Sequence, residues 1–241
     1  MIKLSVEPNG SYDFSPRSEL HPDLWENETL KSEIRKVLLK IAYEFLESLG
    51  IDVEFEDIQL TGSLANYNYT KYSDIDLHIL MDFSEIDEND FLVYDYLMSK
   101  KNLWNNRHNI MVKSYEVEIY PQNTSEKHHS TGVYSVLNDE WVTQPQKPKY
   151  EWSKVNIDDV RKKAKELSIL IDKIPLSDEP LATITCLKDK IRKMRKAGLE
   201  TAGEHSIENL AFKVLRRKGY LKTLEDAKIR EYDKQLSLKE E

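Results

Sequence analysis

The sequence predicts an α+β protein, in which a mixed sheet flanked by helices is followed by an all-helical C-terminal part. Up to about residue 150, short runs with an apolar residue at every second position alternate with helical patterns. A segment that holds Pro145 and Pro148 then marks a linker, and from Asn156 onward the pattern is helical. We therefore expect two domains: residues 1–150 carry the sheet and an irregular N-terminal arm, and residues 151–241 carry helices alone.

The first elements follow from the spacing of their apolar residues. Three prolines and one glycine among polar residues predict an irregular arm over residues 1–27. Apolar residues three to four apart predict a helix over residues 29–49, which Gly50 would end. Alternating apolar residues predict strands at Asp57–Thr61 and Ile75–Met81. A short helix is expected between these strands, from Ser63 to about Tyr67.

The next elements are a helix, a third strand region and a hairpin. Helical spacing covers residues 88–105. The segment "NIMVKSYEVEIYPQ" predicts either two strands with a tight turn at Lys113-Ser114 or one bulged strand. A hairpin is expected in "GVYSVLNDEWV", with Asn138-Asp139 in its turn. In the C-terminal part we expect helix interruptions near Pro175, Pro180, Gly198, Gly203 and Gly219.

Composition excludes several classes of protein. A net charge of −8 argues against a protein that coats DNA non-specifically. Residues 186–222 nevertheless hold eleven Lys or Arg against four Asp or Glu, a local charge of +7. The run "LKDKIRKMRKAG" in this window is interpreted first as a solvated helix surface, with contact to phosphates as the alternative.

The sequence also indicates where the protein is located and which cysteine chemistry it can have. No uncharged run approaches the roughly 18 residues of a membrane span, and no signal-peptide pattern follows Met1. We therefore expect a cytoplasmic protein with no membrane partner. The single cysteine, Cys186, excludes an internal disulfide and a cysteine-based zinc cluster.

Two aspartates in "SDIDLHIL" indicate a metal site. On a strand, residues two apart face the same side, so Asp74 and Asp76 would present their carboxylates together while Ile75 and Leu77 point to the core. Adjacent carboxylates repel each other unless a cation lies between them. Paired hard oxygen ligands suit Mg²⁺ or Mn²⁺.

A Gly-Ser pair upstream indicates a phosphate site. Gly62 and Ser63 lie between a predicted strand and a predicted helix, where backbone N–H groups and a hydroxyl can hold a phosphate. Either motif alone is common in turns and at strand ends. The two together predict phosphate and divalent-metal sites separated by one short helix and loop.

The stretch "LTGSLANYNYTKYSDIDLHI" resembles the nucleotidyltransferase superfamily, whose fold is that of DNA polymerase beta, aminoglycoside nucleotidyltransferases and tRNA CCA-adding enzymes. The shared signature is a hydrophobic residue, Gly-Ser, a spacer and Asp-hydrophobic-Asp-hydrophobic, and it covers residues 58–120 here. Such proteins need a third carboxylate on a later strand. The segment "YEVEIY" offers Glu118, flanked by Val117 and Ile119, and Glu116 as the substitute.

The resemblance implies a mechanism. Asp74, Asp76 and Glu118 would be the catalytic carboxylates and the ligands of two Mg²⁺ or Mn²⁺ ions. Gly62, Ser63 and Ser73 would bind the nucleoside triphosphate, ATP being one candidate. The acceptor, whose hydroxyl would receive the nucleoside monophosphate while pyrophosphate leaves, remains open among a small molecule, an RNA end, another nucleotide and a protein.

The flanking segments extend the resemblance but bring no substrate. "ELHPDLWENETLKSEIRKVLLKIAYEF" and "HSIENLAFKVLRRKGYLKTL" look like nucleotidyltransferase-like proteins of unassigned role from large tailed bacteriophages, which would place the protein in the host cytoplasm. The alternative function is a non-catalytic nucleotide- or partner-binding protein, similar to antitoxin-type members of the superfamily.

Other side chains near the motif have open roles. His78 shares the strand face of the aspartates, and it is either a contact to substrate or a histidine satisfied by a neighbour. Tyr67, Tyr69 and Tyr72 would either stack on a base or pack against the protein.

Overall fold

The structure, a computed structural model, describes Tyr12 and residues 14–126, 130–147 and 155–238. Along these residues, a mixed sheet with flanking helices comes first and a part made only of helices follows. This order confirms the predicted α+β class. They fall into two compact units, one drawn from Ser15–Tyr150 and the other from Met1–Phe14 and Glu151–Glu241. The predicted boundary at residues 150 and 151 lies outside the described residues, and so do residues 1–11 and 13 of the predicted N-terminal arm.

The first unit contains eight strands and three α-helices among its described residues. Its strands are β1 (Trp25–Glu26), β2 (Thr29–Leu30), β3 (Asp57–Thr61), β4 (Ile75–Met81), β5 (Met111–Val112), β6 (Tyr115–Asn123), β7 (Val133–Ser135) and β8 (Glu140–Thr143). Its helices are α1 (Ser32–Leu49), α2 (Phe83–Ile86) and α3 (Asp90–Arg107).

Six of these strands form one sheet, in the order β5-β6-β4-β3-β7-β8. β4 and β6 are parallel, and all other neighbours are antiparallel. The segment between β4 and β6 contains α2, α3 and β5, so these two strands become neighbours although about thirty residues of chain separate them. Lys113 has a positive φ of 56°, which forms the tight turn before β6 and decides for two strands over one bulged strand.

One face of the sheet is apolar and the other is polar. Along β4 every second residue is buried, beginning with Ile75, and the residues between them are half-buried. The apolar face shares a core with α1 and α3, in which Leu38, Phe45 and Leu97 are fully buried. The opposite face therefore carries the polar side chains, including those of Asp76 and Glu118.

The second unit has four described α-helices, which are α4 (Ile157–Asp172), α5 (Pro180–Ala202), α6 (Ile207–Arg217) and α7 (Tyr220–Leu236). Phe14 packs with α4 and α6 in one apolar cluster, against Val160 and Leu210 among others. A second cluster joins α5 and α7, through residues such as Ile184 and Leu224. No described helix is long and apolar enough to cross a membrane.

The N-terminal part differs from the prediction. Asn27 and Glu28 have φ values of 50° and 62°, the conformation of a two-residue hairpin turn, and they join β1 to β2. The hairpin uses Thr29 and Leu30, so α1 begins at Ser32 instead of residue 29. At its other end, α1 stops at Gly50 as predicted, with a left-handed φ of 73°.

The predicted interruption at Gly198 is wrong, because α5 continues through it to Ala202. A Cβ on Gly198 would lie 2.6 Å from the Cβ of Glu208 and 2.8 Å from the Oγ of Ser206. This glycine therefore allows the start of α6 to approach α5 closely. Gly203 and Gly219 do mark helix ends, both with positive φ.

Candidate functional site

Three carboxylates meet at the start of two neighbouring strands. The register of the parallel β4–β6 pair places Asp76 opposite Glu118, so both side chains leave the same face of the sheet. Asp74 comes one residue before β4 begins at Ile75. One carboxylate oxygen from each of the three lies within 4.8 Å of the others. Asp74 and Asp76 are half-buried, and Glu118 is exposed.

The two candidates for the third carboxylate lie at different places along β6. Glu116 lies where β6 pairs with β5, and its partner there is Met111. Among the described residues, Glu118 joins the aspartates in the group that could hold an ion, and Glu116 does not. The geometry therefore favours Glu118, because Glu116 is one repeat of the strand away from the row that contains Asp76.

The donor set fits a divalent cation. Mg²⁺ binds oxygen at about 2.1 Å, so opposite ligands of one ion are about 4.2 Å apart. One oxygen from each carboxylate lies within 4.8 Å of the others, so the three groups are near enough to one another to share a cation. Hard carboxylate oxygens are the ligands that Mg²⁺ and Mn²⁺ prefer.

Gly62 lies directly against the carboxylate of Asp76. Thr61, the last residue of β3, pairs with Asp76, so the chain leaves the sheet beside that side chain. Gly62 has a φ of +73°, and a Cβ built on it would lie 1.7 Å from Oδ2 of Asp76. Glycine alone satisfies both the backbone conformation and the available space. The Gly-Ser turn and Asp76 thus form one local structure.

Two serine hydroxyls join the turn to the first carboxylate. Ser63 begins a single 3₁₀ turn, Ser63–Ala65, which is shorter than the helix expected from the sequence. Its Oγ lies 2.7 Å from Oγ of Ser73, the residue before Asp74. Oγ of Ser73 also accepts a hydrogen bond from the backbone N–H of Thr70 at 3.0 Å. The structure therefore brings Gly62, Ser63 and Ser73 together with the carboxylates.

Comparison with known families agrees with this geometry. Residues 39–192, well over half of the chain, match the sequence model of the nucleotidyltransferase domain. The chain belongs to this family. Membership supports nucleotidyl transfer as the general chemistry of the protein. No curated protein and no solved structure matches the chain, so the resemblance to bacteriophage proteins stays a prediction.

Asn66 holds the Gly-Ser turn of this nucleotidyltransferase domain, and its role was not predicted from the sequence. Its side chain is buried; Nδ2 donates to the carbonyl of Gly62 at 2.7 Å, and Oδ1 accepts from the hydroxyl of Thr131 at 2.9 Å. A Cβ on Gly132 would lie 2.2 Å from the carbonyl oxygen of Ala65, so this loop fits closely against the 3₁₀ turn. Asn66 was missed because Thr131 is 65 residues away along the chain.

Asn105 is a second residue that the sequence did not indicate. Beyond Glu116, the outer edge of β6 has no strand partner among the described residues. There the side chain of Asn105 takes the place of a strand: its Nδ2 donates to the carbonyl of Ile119 at 3.1 Å, and its Oδ1 accepts from the N–H of Ile119 at 3.2 Å. Ile119 follows Glu118, so Asn105 positions the backbone next to the third carboxylate.

His78 is held by a neighbouring side chain. Its Nδ1 lies 2.6 Å from Oε1 of Gln122, while Nε2 of Gln122 donates to the carbonyl of Glu126 at 3.4 Å. Because Oε1 accepts, Nδ1 of His78 carries the proton and donates. The imidazole also lies beside the ring of Tyr120, with centroids 5.0 Å apart. This agrees with the interpretation of His78 as a histidine satisfied by a neighbour.

The three loop tyrosines have different surroundings. Tyr67 is buried in the core, which leaves no open ring face for a base. Tyr69 packs edge to face on His21, with ring centroids 4.7 Å apart, and burial raises the pKa of its hydroxyl. The ammonium group of Lys71 lies 5.0 Å from the ring centroid of Tyr72. Packing is thus the better account of Tyr67.

Proposed function

We propose that this protein is a metal-dependent nucleotidyltransferase, which moves a nucleoside monophosphate from a nucleoside triphosphate to a hydroxyl acceptor and releases pyrophosphate. One observation supports this above all others. In a chain of the nucleotidyltransferase domain family, three carboxylates lie within 4.8 Å of one another, and the Gly-Ser turn lies against one of them.

The carboxylates of Asp74, Asp76 and Glu118 would hold two Mg²⁺ or Mn²⁺ ions. When bound, such ions supply positive charge that offsets the negative charge of the phosphates during transfer. Half-burial of Asp74 and Asp76 favours this role, because a carboxylate pair removed from water binds a cation more strongly than an exposed pair.

The turn at Gly62 would bind the phosphates of the nucleotide. The close approach of its backbone to the carboxylates, and the hydroxyls of Ser63 and Ser73, place hydrogen-bond donors next to the proposed metal ligands. Asn66 keeps this turn fixed through the carbonyl of Gly62. When the phosphates are held in place, the α-phosphorus stays at a fixed distance from the acceptor hydroxyl. Such positioning lowers the activation barrier of the transfer.

Glu118 is the proposed proton acceptor. It is the most exposed of the three carboxylates and thus the one that an acceptor hydroxyl reaches most easily. One of its oxygens would take the hydroxyl proton while the acceptor oxygen forms its bond to the α-phosphorus. The bond from the α-phosphorus to the bridging oxygen breaks, and pyrophosphate leaves with that electron pair.

Incubation with each α-labelled nucleoside triphosphate, Mg²⁺ or Mn²⁺ and a broad extract of acceptors tests the proposal. We expect label transfer and pyrophosphate release with at least one nucleotide, and a loss of about a hundredfold or more in Asp76→Asn and in Glu118→Gln. Glu116→Gln is the matched control, since it removes the same charge from the same strand, and it should retain activity.

Two results would contradict the proposal. Undiminished label transfer in Asp76→Asn would contradict the assignment of Asp76 as a metal ligand. Absence of label transfer and of pyrophosphate release with every nucleotide and extract would favour a non-catalytic nucleotide- or partner-binding protein instead.

A further inference from the structure

One face of the second unit concentrates positive charge. On α6, Asn209, Phe212, Lys213 and Arg216 follow one another at spacings of three, one and three residues, so they share one side of the helix. Arg195 of α5 reaches the same side: its Nε donates to Oδ1 of Asn209 at 3.2 Å, and its Cζ lies 4.3 Å from the ring centroid of Phe212. Arg195 therefore lies beside Asn209 and Phe212, on the side of α6 that also carries Lys213 and Arg216.

Hydrogen bonds fix the buried asparagine beneath this face. Asn209 is fully buried; its Nδ2 donates to the carbonyl of Glu204 at 2.7 Å, and its backbone N–H donates to Oγ of Ser206 at 3.2 Å. The hydrogen bond to Asn209 and the stacking on Phe212 hold the guanidinium group of Arg195 in one orientation. An ordered guanidinium group loses little conformational entropy when it binds an anion.

The positive charges on this face act on one another. Burial lowers the pKa of Lys213, and the guanidinium groups of Arg217, Arg216 and Arg195 lower it further, while Glu204 opposes them. Burial and Arg216 likewise lower the pKa of Arg195. Glu204 offsets part of the repulsion between these cations, and a bound anion would offset more of it.

Two other half-buried lysines of the same unit each lie beside a carboxylate. Lys163 pairs with Glu208 at 3.0 Å, and Lys188 pairs with Glu225. Within the residues that the structure describes, the ammonium group of Lys213 has neither a hydrogen bond nor a carboxylate partner in an ion pair. Lys213 thus differs from these two lysines, which are buried to a similar degree but paired.

We propose that Arg195, Lys213 and Arg216 form a binding site for a compact anion that carries several phosphate groups. Guanidinium groups bind phosphate oxygens in pairs, and an ammonium group adds a point charge, so the combination suits phosphate. Nucleic acid fits less well, because the net charge of the chain is −8 and these three cations are confined to one side of α6 and the adjacent part of α5 instead of following a long track. The site requires no catalysis by the first unit.

Calorimetric titration of the full chain with inorganic tripolyphosphate, in EDTA, tests this site. Without divalent metal the carboxylates of Asp74, Asp76 and Glu118 repel the probe, so they add no affinity for it. We expect saturable binding to the wild type and a loss of about tenfold or more in Lys213→Met, the effect of removing one charge-assisted contact. Lys190→Met is the matched control: it removes the same charge from an exposed position on α5 and should change the affinity less than about twofold.

Arg216→Gln provides a second variant if Lys213→Met does not fold, as judged by circular dichroism, and it should also weaken binding. Absence of binding to the wild type, or equal losses in Lys213→Met and Lys190→Met, would overturn the proposal. A Lys213-dependent preference for an oligoribonucleotide without terminal phosphates would overturn it in favour of a nucleic-acid site. Because the readout is binding without metal, its failure is distinct from a failure of nucleotidyl transfer.

Discussion

The residue that most tightly constrains the candidate site is Gly62. Its positive φ is accessible to glycine with little strain, and the carboxylate of Asp76 occupies the volume where any other residue would place its Cβ. Gly203 has nearly the same backbone conformation as Gly62, with φ 68° and ψ −156° against φ 73° and ψ −159°, but a Cβ there would meet nothing within 4 Å. Alanine variants at these two glycines therefore separate the effect of backbone strain from the effect of contact with Asp76.

Gly62→Ala should therefore be far more damaging than Gly203→Ala. Both variants should lose about 1–3 kcal/mol of stability, because both glycines have a backbone conformation that other residues rarely adopt. Gly62→Ala should in addition displace Asp76 and lower nucleotidyl transfer by about a hundredfold. Urea unfolding and pyrophosphate release measure the two effects. Equal activity of the two alanine variants would show that contact between Gly62 and Asp76 does not matter for the reaction.

At the scale of elements, the site depends on how two strands and their edges are supported. The parallel pairing of β4 and β6 aligns Asp76 with Glu118, and α3 supplies Asn105 where β6 lacks a strand neighbour. The adjacent Asn106 is exposed on the same helix. Asn105 thus supports β6, and Asn106 on the same helix serves as its control in substitution experiments.

Asn105→Ala should weaken both the strand edge and the site. Two backbone groups of Ile119 lose their partners, which costs about 1–3 kcal/mol of stability. Glu118 should then be less well placed, so kcat should fall by about tenfold while the KM for the nucleotide changes little. Asn106→Ala should alter stability by less than about 0.5 kcal/mol. If both variants behave like the wild type in denaturation and in kcat, Asn105 has no positioning role.

At the scale of the whole molecule, the carboxylate cluster should couple metal to stability. A cation that binds only the folded chain stabilises it in proportion to the logarithm of its concentration. At Mg²⁺ concentrations well above the dissociation constant, a gain of about 2 kcal/mol should raise the unfolding midpoint by about 4–8 °C relative to EDTA. Scanning calorimetry with and without EDTA measures this shift.

Glu118→Gln should reduce the Mg²⁺-dependent shift, whereas Glu116→Gln should preserve it. A shift that is the same in both variants and in the wild type would indicate that the ion binds elsewhere.

Much of this protein was predictable from local sequence. The strands Asp57–Thr61 and Ile75–Met81 have the predicted bounds, because alternation of apolar and polar residues is a property of the segment alone. The grouping of Asp74 with Asp76 and the turn at Gly62 also followed from adjacent residues. The hairpin at Trp25–Leu30 was missed, since its turn lacks glycine and proline and uses Asn27 and Glu28 in a left-handed conformation.

The sequence by itself determined the fold class, the carboxylate pair and the Gly-Ser turn, because each depends on residues a few positions apart. Only the tertiary structure shows that Glu118, and not Glu116, lies beside the two aspartates, since that placement depends on the register of β6 against β4. It alone revealed Asn66, Asn105 and the cationic face of Arg195 and Lys213, whose contacts join segments distant along the chain. Local periodicity carries no information about such contacts, because they form only after packing brings separate elements together.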